Sequence, residues 1–244
     1  MSSFFQLLIT SLPVLLQGAL VSIMITLCAV LGGFLLAVGI AYLRLHTSGF
    51  LLRFLVVYEW FFRGLPILVL LLLLWLILPF IGINLGSFAV IVVGLGLRSS
   101  AYQTQIIRGA LNSISRVQTE AGLSLGLTRF KSFLHITLPQ SLRLSLPGLS
   151  NEFTIVLKDS PLAYVVAVAE LLKRAENLIS SNFRPFELYF ICAVIYFIMY
   201  LIVEYIFKIV NKRMRSESFF DNNDDSGVNH NTHINSPKRI RAVK

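Results

Sequence analysis

Charged residues are scarce in this chain. They make up 14% of its 244 residues, and none occurs before Arg44. A soluble core of this size carries roughly a quarter of its residues charged, so a secreted, nuclear or other soluble protein is excluded. Cysteine is scarce as well. Cys28 and Cys192 each sit in a long apolar run, where a thiol behaves as a small hydrophobe, so no disulfide framework is expected. The N-terminus, MSSFFQLLIT, has no basic n-region and no small-residue cleavage site. Its first apolar run is therefore expected to stay in the mature protein. Catalytic signatures are missing too: there is no G-x-x-x-x-G-K-[ST] phosphate loop, no H-E-x-x-H and no G-x-S-x-G. Nucleotide hydrolysis by the chain itself and an intramembrane enzyme are both disfavoured.

Apolar residues are abundant instead, at 56% with a mean hydropathy of +0.76. The chain reads as an all-α integral membrane protein. A hydrocarbon core of about 30 Å takes about 20 helical residues, and five stretches approach this length: 14–43, 54–81, 86–107, 146–170 and 187–210. This division leaves 1–13 as an N-terminal extracytoplasmic segment and 108–145 as a long amphiphilic connection. Residues 173–184 form the last loop, and 216–244 a disordered cytoplasmic tail too polar to bury a core.

The net charge of +9 is explained by topology rather than by nucleic acid. With the N-terminus outside, the inner side carries Arg44, Arg53, Arg108, Arg116, Arg129, Lys131, Arg143, Lys208, Lys212, Arg213 and Arg215. The outer side has Lys173, Arg174 and Arg184, and basic residues gather in cytoplasmic loops. The expected orientation is N-out and C-in. In the tail, His230 and His233 supply only two ligands on a floppy segment, so no metal site is expected. Lys238, Arg239, Arg241 and Lys244 can touch anionic lipid, although a solvated tail is the simpler reading.

Small residues recur every fourth position at Ala29, Gly33, Ala37 and Ala41, a stripe that lets another helix approach closely. Gly94 and Gly96 read the same way, as helix packing. Ionisable groups in a bilayer usually face a bundle interior or a pathway, so they are the candidate functional residues. Glu59 and Arg63 stand at i, i+4 on the second span, just before a break at Gly64 and Pro66. Arg98 is the only charge in the third span before Arg108, and Ser99, Ser100 and Tyr102 surround it. Glu152 and Asp159 are seven apart and share a helix face, while Asn151 and Lys158 share the neighbouring stripe. Ser160 and Pro161 then interrupt the helix, and broken helices at the midplane expose backbone ends that hold charged ligand groups. The simpler alternative is that Lys158 and Asp159 neutralise each other. Glu204 reads as structural.

The long connection is the most specific segment. Ser115 and Gln118 have capping-box spacing, starting a helix with Val117, Ala121 and Leu125 on one face. Gly126 can take the left-handed conformation that stops it, and Thr128 can cap a second short helix running toward Pro139. EAGLSLGLTRFKSFLHITLP fits the pattern E-A-A-x3-G-x9-I-x-L-P through Glu120, Ala121, Gly126, Ile136, Leu138 and Pro139, with Gly122 in place of the second alanine. This resembles the coupling loop of ABC importer permeases. FFRGLPILVL, AYQTQIIRGALNSI, LPQSLRLSLPGLSNEF, LKDSPLA and FRPFELY extend the resemblance to the polar amino acid branch, over roughly residues 13–215.

The resemblance implies a five-helix ABC type I importer permease with a coupling-helix pair between spans 3 and 4. It also implies two cytoplasmic ATPase subunits that use ATP, a second permease subunit and an extracytoplasmic substrate-binding protein. No cofactor is expected on this chain itself, and the setting implied is the bacterial inner membrane. Lys158, Asp159, Glu152, Glu59, Arg63 and Arg98 are then substrate-pathway candidates. Glu120, Ala121, Gly126, Leu138 and Pro139 are the candidates for coupling to the ATPase. Gln105 stands where the family usually has an acid, and Arg98 lies near a position usually small, neutral or amide. The alternative is a proton-coupled carrier with Glu59, Asp159 and Glu204 as a relay.

Overall fold

A computed structural model of the chain describes residues 2–224, with side chains described within residues 4–214. Among the described residues all regular structure is helical. Helix α1 spans Ser2–His46, 45 residues, or about 68 Å at 1.5 Å per residue. The first residues are therefore one continuous helix with the first span, not a separate N-terminal segment. Ser11 and Thr26 donate to the carbonyls of Leu7 and Ser22, four residues back, at 2.6 and 2.8 Å. Such back-bonding satisfies buried hydroxyls within an apolar helix.

The expected second span, 54–81, is not one helix. It is a pair, α2 (Gly49–Gly64) and α3 (Ile67–Phe80), bent by 108° at Leu65 and Pro66. Proline pushes its predecessor out of the helical region, and Leu65 is extended at φ −81° and ψ 135°. Helix α4 (Ser87–Asn112) follows and runs five residues past the expected end at 107.

Two short helices come next, α5 (Arg116–Ser124) and α6 (Arg129–Ser132). Ser115 Oγ accepts from Val117 N, and Thr128 Oγ1 accepts from Lys131 N. Only half of the capping box forms, because the Gln118 side chain accepts from Gln140 Nε2 instead of reaching back to Ser115. A π-helical turn, Phe133–Thr137, carries α6 directly into α7 (Leu138–Asp159). The fourth span expected at 146–170 thus starts earlier and ends at Asp159, where a 3-10 turn, Ser160–Val166, takes over and closes on Ala167 at φ +60°.

Residues 173–184, expected to be a loop, fold mostly into α8 (Leu171–Asn182). Glu170 caps it, accepting from Leu172 N and Lys173 N at 2.9 and 2.8 Å. Helix α9 spans Pro185–Asp224, so it continues into the segment expected as a disordered tail from 216. The remainder of that tail, with His230, His233 and the terminal basic cluster, lies outside the described residues.

The core is strung along α1 as three apolar clusters. Leu15, Ala19, Leu171, Ala175 and Leu188 form the first, and Ile25, Ala29, Leu71, Ile91 and Leu95 the second. Ala37, Ala41, Ile107, Phe133 and Leu138 form the third. The small-residue stripe is used within the chain, against α4. A Cβ on Gly33 would lie 2.8 Å from Gly96 O, and one on Gly96 would lie 3.3 Å from Ala29 O. Gln103 and Thr104 of α4 donate to the carbonyls of Val30 and Ala37 across this contact.

By length and apolarity, two helices among the described residues qualify as membrane spans, Phe4–His46 and Pro185–Met214. The α2–α3 pair makes three if counted as one. Helices α4 and α7 carry Arg98, Gln103 and Gln105, and Glu152 and Lys158, which lower their apolarity.

Candidate functional site

Ionisable side chains gather in three places. The first joins α1, α2 and α4. Glu59 of α2 is almost wholly buried, and its two oxygens face different arginines: Arg44 Nη1 at 2.6 Å and Arg108 Nη1 at 3.3 Å. The i, i+4 pair of Glu59 with Arg63 does not form, because tertiary neighbours take the carboxylate first.

The second cluster lies between α2, α4 and α7. Arg98 Nη1 donates to Asp159 Oδ2 at 2.8 Å. Its guanidinium carbon also lies 5.0 Å from the Tyr102 ring centre, and that of Arg63 lies 5.2 Å from the same ring. Such cation–π contacts hold a guanidinium in place where water is excluded. Glu152 is buried beside Ser99, Arg98 and Asp159. Arg63 Nε and Glu152 Oε1 are both buried and have no hydrogen-bond partner. A buried polar atom without a partner is costly, and such atoms mark places where a ligand or solvent completes the set.

The third is a groove of about 680 Å³ between α7 and α9, lined among others by Asn151, Lys158, Tyr200, Glu204 and Lys208. Lys158 Nζ lies 4.3 Å from the Tyr200 ring centre, and the Tyr200 hydroxyl donates to Glu204. Of the six pathway candidates, Arg63, Arg98, Glu152 and Asp159 therefore come together. Glu59 is at another joint, and Lys158 is turned away from Asp159 toward α9. The neutralising Lys158–Asp159 pair is replaced by Arg98–Asp159.

The α5–α6 pair places Glu120 and Ala121 on an exposed surface, with Val117 and Leu125 67% and 84% exposed. Gly126 turns the chain between the two helices at φ +83°, and no atom stands within 4 Å of its missing Cβ. The requirement there is conformational, not spatial. Gly122 is the reverse case, because a Cβ would lie 2.7 Å from Ile136 Cδ1 and 2.9 Å from Ser132 Oγ. Leu138 is buried against α1 and α4, and Pro139 sits exposed in the first turn of α7. A cleft of about 600 Å³ opens beside Glu120, with His46, Arg116 and Arg129 on its wall.

Sequence reasoning missed Glu170. Its carboxylate is buried, caps α8, and also accepts from Tyr196 at 2.7 Å and Ser22 at 3.3 Å. The only signal was an acid closing an apolar run, three residues before Lys173.

Long apolar helices packed around a buried ionic cluster, with a surface helix pair in the long connection, fit a membrane permease. Residues 29–216 match the family of binding-protein-dependent transport system inner membrane components, and the chain belongs to it. The glutamine transport system permease protein GlnP of Escherichia coli K12 is 32% identical over 207 residues, covering 84% of this chain and 94% of GlnP. The arginine ABC transporter permease protein ArtQ of Haemophilus influenzae is 33% identical over 198 residues, covering 78% and 89%. Among solved structures, the crystal structure of an amino acid ABC transporter with histidines superposes with a TM-score of 0.77 at 32% identity, over 86% of this chain and 98% of that one.

Proposed function

We propose that this chain is the transmembrane permease subunit of an ATP-driven ABC importer for polar amino acids of the glutamine, glutamate, histidine or arginine type. Five spans cross the inner membrane, with the N-terminus outside and the C-terminus inside. Two ATPase subunits dock on its cytoplasmic face, a second permease subunit completes the pathway, and an extracytoplasmic binding protein delivers the substrate. The charge distribution between loops supports the orientation.

The observation that carries this reading is the exposed surface of α5. Val117, Ala121 and Leu125 present apolar area beside Glu120, and an apolar patch with a charge at its edge is suited to a protein partner. Ser115 and Thr128 cap the two helices of the pair, and Gly126 makes the turn between them. Behind it, Phe130 and Phe133 pack their rings 5.3 and 5.1 Å from Tyr42 of α1. The unsatisfied cluster of Arg63, Arg98, Glu152 and Asp159 is the proposed substrate contact, with Lys158 and Glu59 outside it. A mid-membrane site of this kind binds weakly, because it also has to release its cargo.

Affinity purification of the tagged chain from its native membrane tests the reading. An ATPase should accompany it, and a Glu120→Arg, Gly126→Val double variant should lose either that ATPase or substrate-stimulated ATP hydrolysis. A chain that purifies alone and still transports would refute the assignment.

A further inference from the structure

Asp159 already has a cationic partner, because Arg98 Nη1 holds its Oδ2 at 2.8 Å. Arg98 is itself fixed from a second side by the Tyr102 ring. A substrate with a cationic side chain would have to displace the guanidinium from this partly buried ion pair, a costly exchange. Lys158, next to Asp159 in the chain, faces Tyr200 and lies outside the cluster. Two groups in the same cluster remain unused. Glu152 Oε1 is an acceptor without a donor, and Arg63 Nε is a donor without an acceptor. The acceptor suits the α-ammonium group of an amino acid. The donor suits an oxygen of a carboxylate or carboxamide.

We propose that Arg98 sets the charge selectivity of the translocation site, which admits amino acids whose side chain is a neutral or acidic hydrogen-bond acceptor and rejects those whose side chain is cationic. This rests on the reading of the chain as an amino acid permease. In that reading Arg98 acts as a tethered cation that occupies the place a cationic side chain would otherwise take beside Asp159. The charge of Arg98, held between Asp159 and the Tyr102 ring, is what the selectivity depends on.

The test is equilibrium binding of radiolabelled L-glutamine, L-glutamate and L-arginine to the detergent-solubilised permease–ATPase complex, without the binding protein, so that only the membrane site selects. The parental complex should bind glutamine or glutamate about tenfold or more tightly than arginine, the scale of one desolvated charge interaction. Arg98→Asn should abolish or invert that ratio, while Arg98→Lys should keep its direction with weaker binding. Asp159→Asn leaves Arg98 in place and should widen the preference for glutamate, which keeps the proposal testable if Arg98→Asn fails to assemble. Arginine bound as tightly as glutamine by the parental complex would overturn the proposal. So would a ratio unchanged in both Arg98→Asn and Asp159→Asn. Binding of any one of the three upholds the amino acid reading whichever charge is preferred. Binding of none removes that reading, and this inference with it.

Discussion

The two buried ionic clusters on either side of α4 use the same residue types and differ in how completely their acids are satisfied, since each leaves one arginine Nε, that of Arg44 and that of Arg63, without a partner. At the joint of α1, α2 and α4, both oxygens of Glu59 are taken by arginines from two other helices. Between α2, α4 and α7, one ion pair is made, and a carboxylate oxygen and a guanidinium nitrogen are left over. The first arrangement ties three helices into one body. The second leaves groups for something that comes and goes. Removing one member of a buried pair strands the others, whereas changing Glu152, which stands outside the Arg98–Asp159 pair, takes away a ligand interaction at small structural expense.

The comparison breaks most visibly at Glu59. Glu59→Ala leaves Arg44 and Arg108 without their acid and should destabilise the chain by about 3 kcal/mol or more. Thermal unfolding of the purified complex in detergent would register this as a clear fall in Tm. A Tm unchanged by Glu59→Ala would mean the joint is not a brace. In the open cluster, Glu152→Gln should leave Tm nearly unchanged, within about 1 kcal/mol, because no donor in the protein is orphaned. Uptake into proteoliposomes should nonetheless fall by about tenfold, since the substrate ammonium then meets a neutral amide in place of a carboxylate. Equal effects of the two substitutions on Tm would erase the distinction between the clusters.

The helix pair sharpens the same distinction at smaller scale. Gly126→Val forces a branched side chain into the left-handed region, at roughly 1–2 kcal/mol. It should lower substrate-stimulated ATP hydrolysis more than it lowers Tm. The smallest effect is expected for Gly122→Ala. The added methyl meets the flexible end of Ile136 and the Ser132 hydroxyl, while alanine gains up to about 1 kcal/mol in helix propensity. The two terms nearly cancel, so Tm should move by no more than a degree or two, a shift differential scanning fluorimetry can resolve.

Much of the architecture was legible because it depends on local pattern. Apolar runs mark the helices, Pro66 marks the break, and the caps and turn of α5 and α6 can be read from Ser115, Gly126 and Thr128. The small-residue stripe on α1 is legible as packing, although its partner, the Gly96 region of α4, emerges only in three dimensions. The unreadable part lies in long-range pairing. Glu59 is four residues from Arg63, yet it binds Arg44 and Arg108, 15 and 49 positions away. Lys158 and Asp159 are adjacent in the chain, and about 100° of helical turn sends them to different neighbours. Helix α8 was hidden for a related reason. Its face packs on α1 through Leu171 and Ala175, but its polar composition reads as loop.

The claim that ATP drives this permease is tested most directly by uptake into proteoliposomes holding the purified permease–ATPase complex, with the binding protein outside and ATP inside. The account predicts that uptake of a polar amino acid requires both the ATP and the binding protein, and is unaffected when the pH gradient is collapsed. Uptake that proceeds without ATP and follows the proton gradient would contradict it, and would point to a relay through Glu59, Asp159 and Glu204 instead.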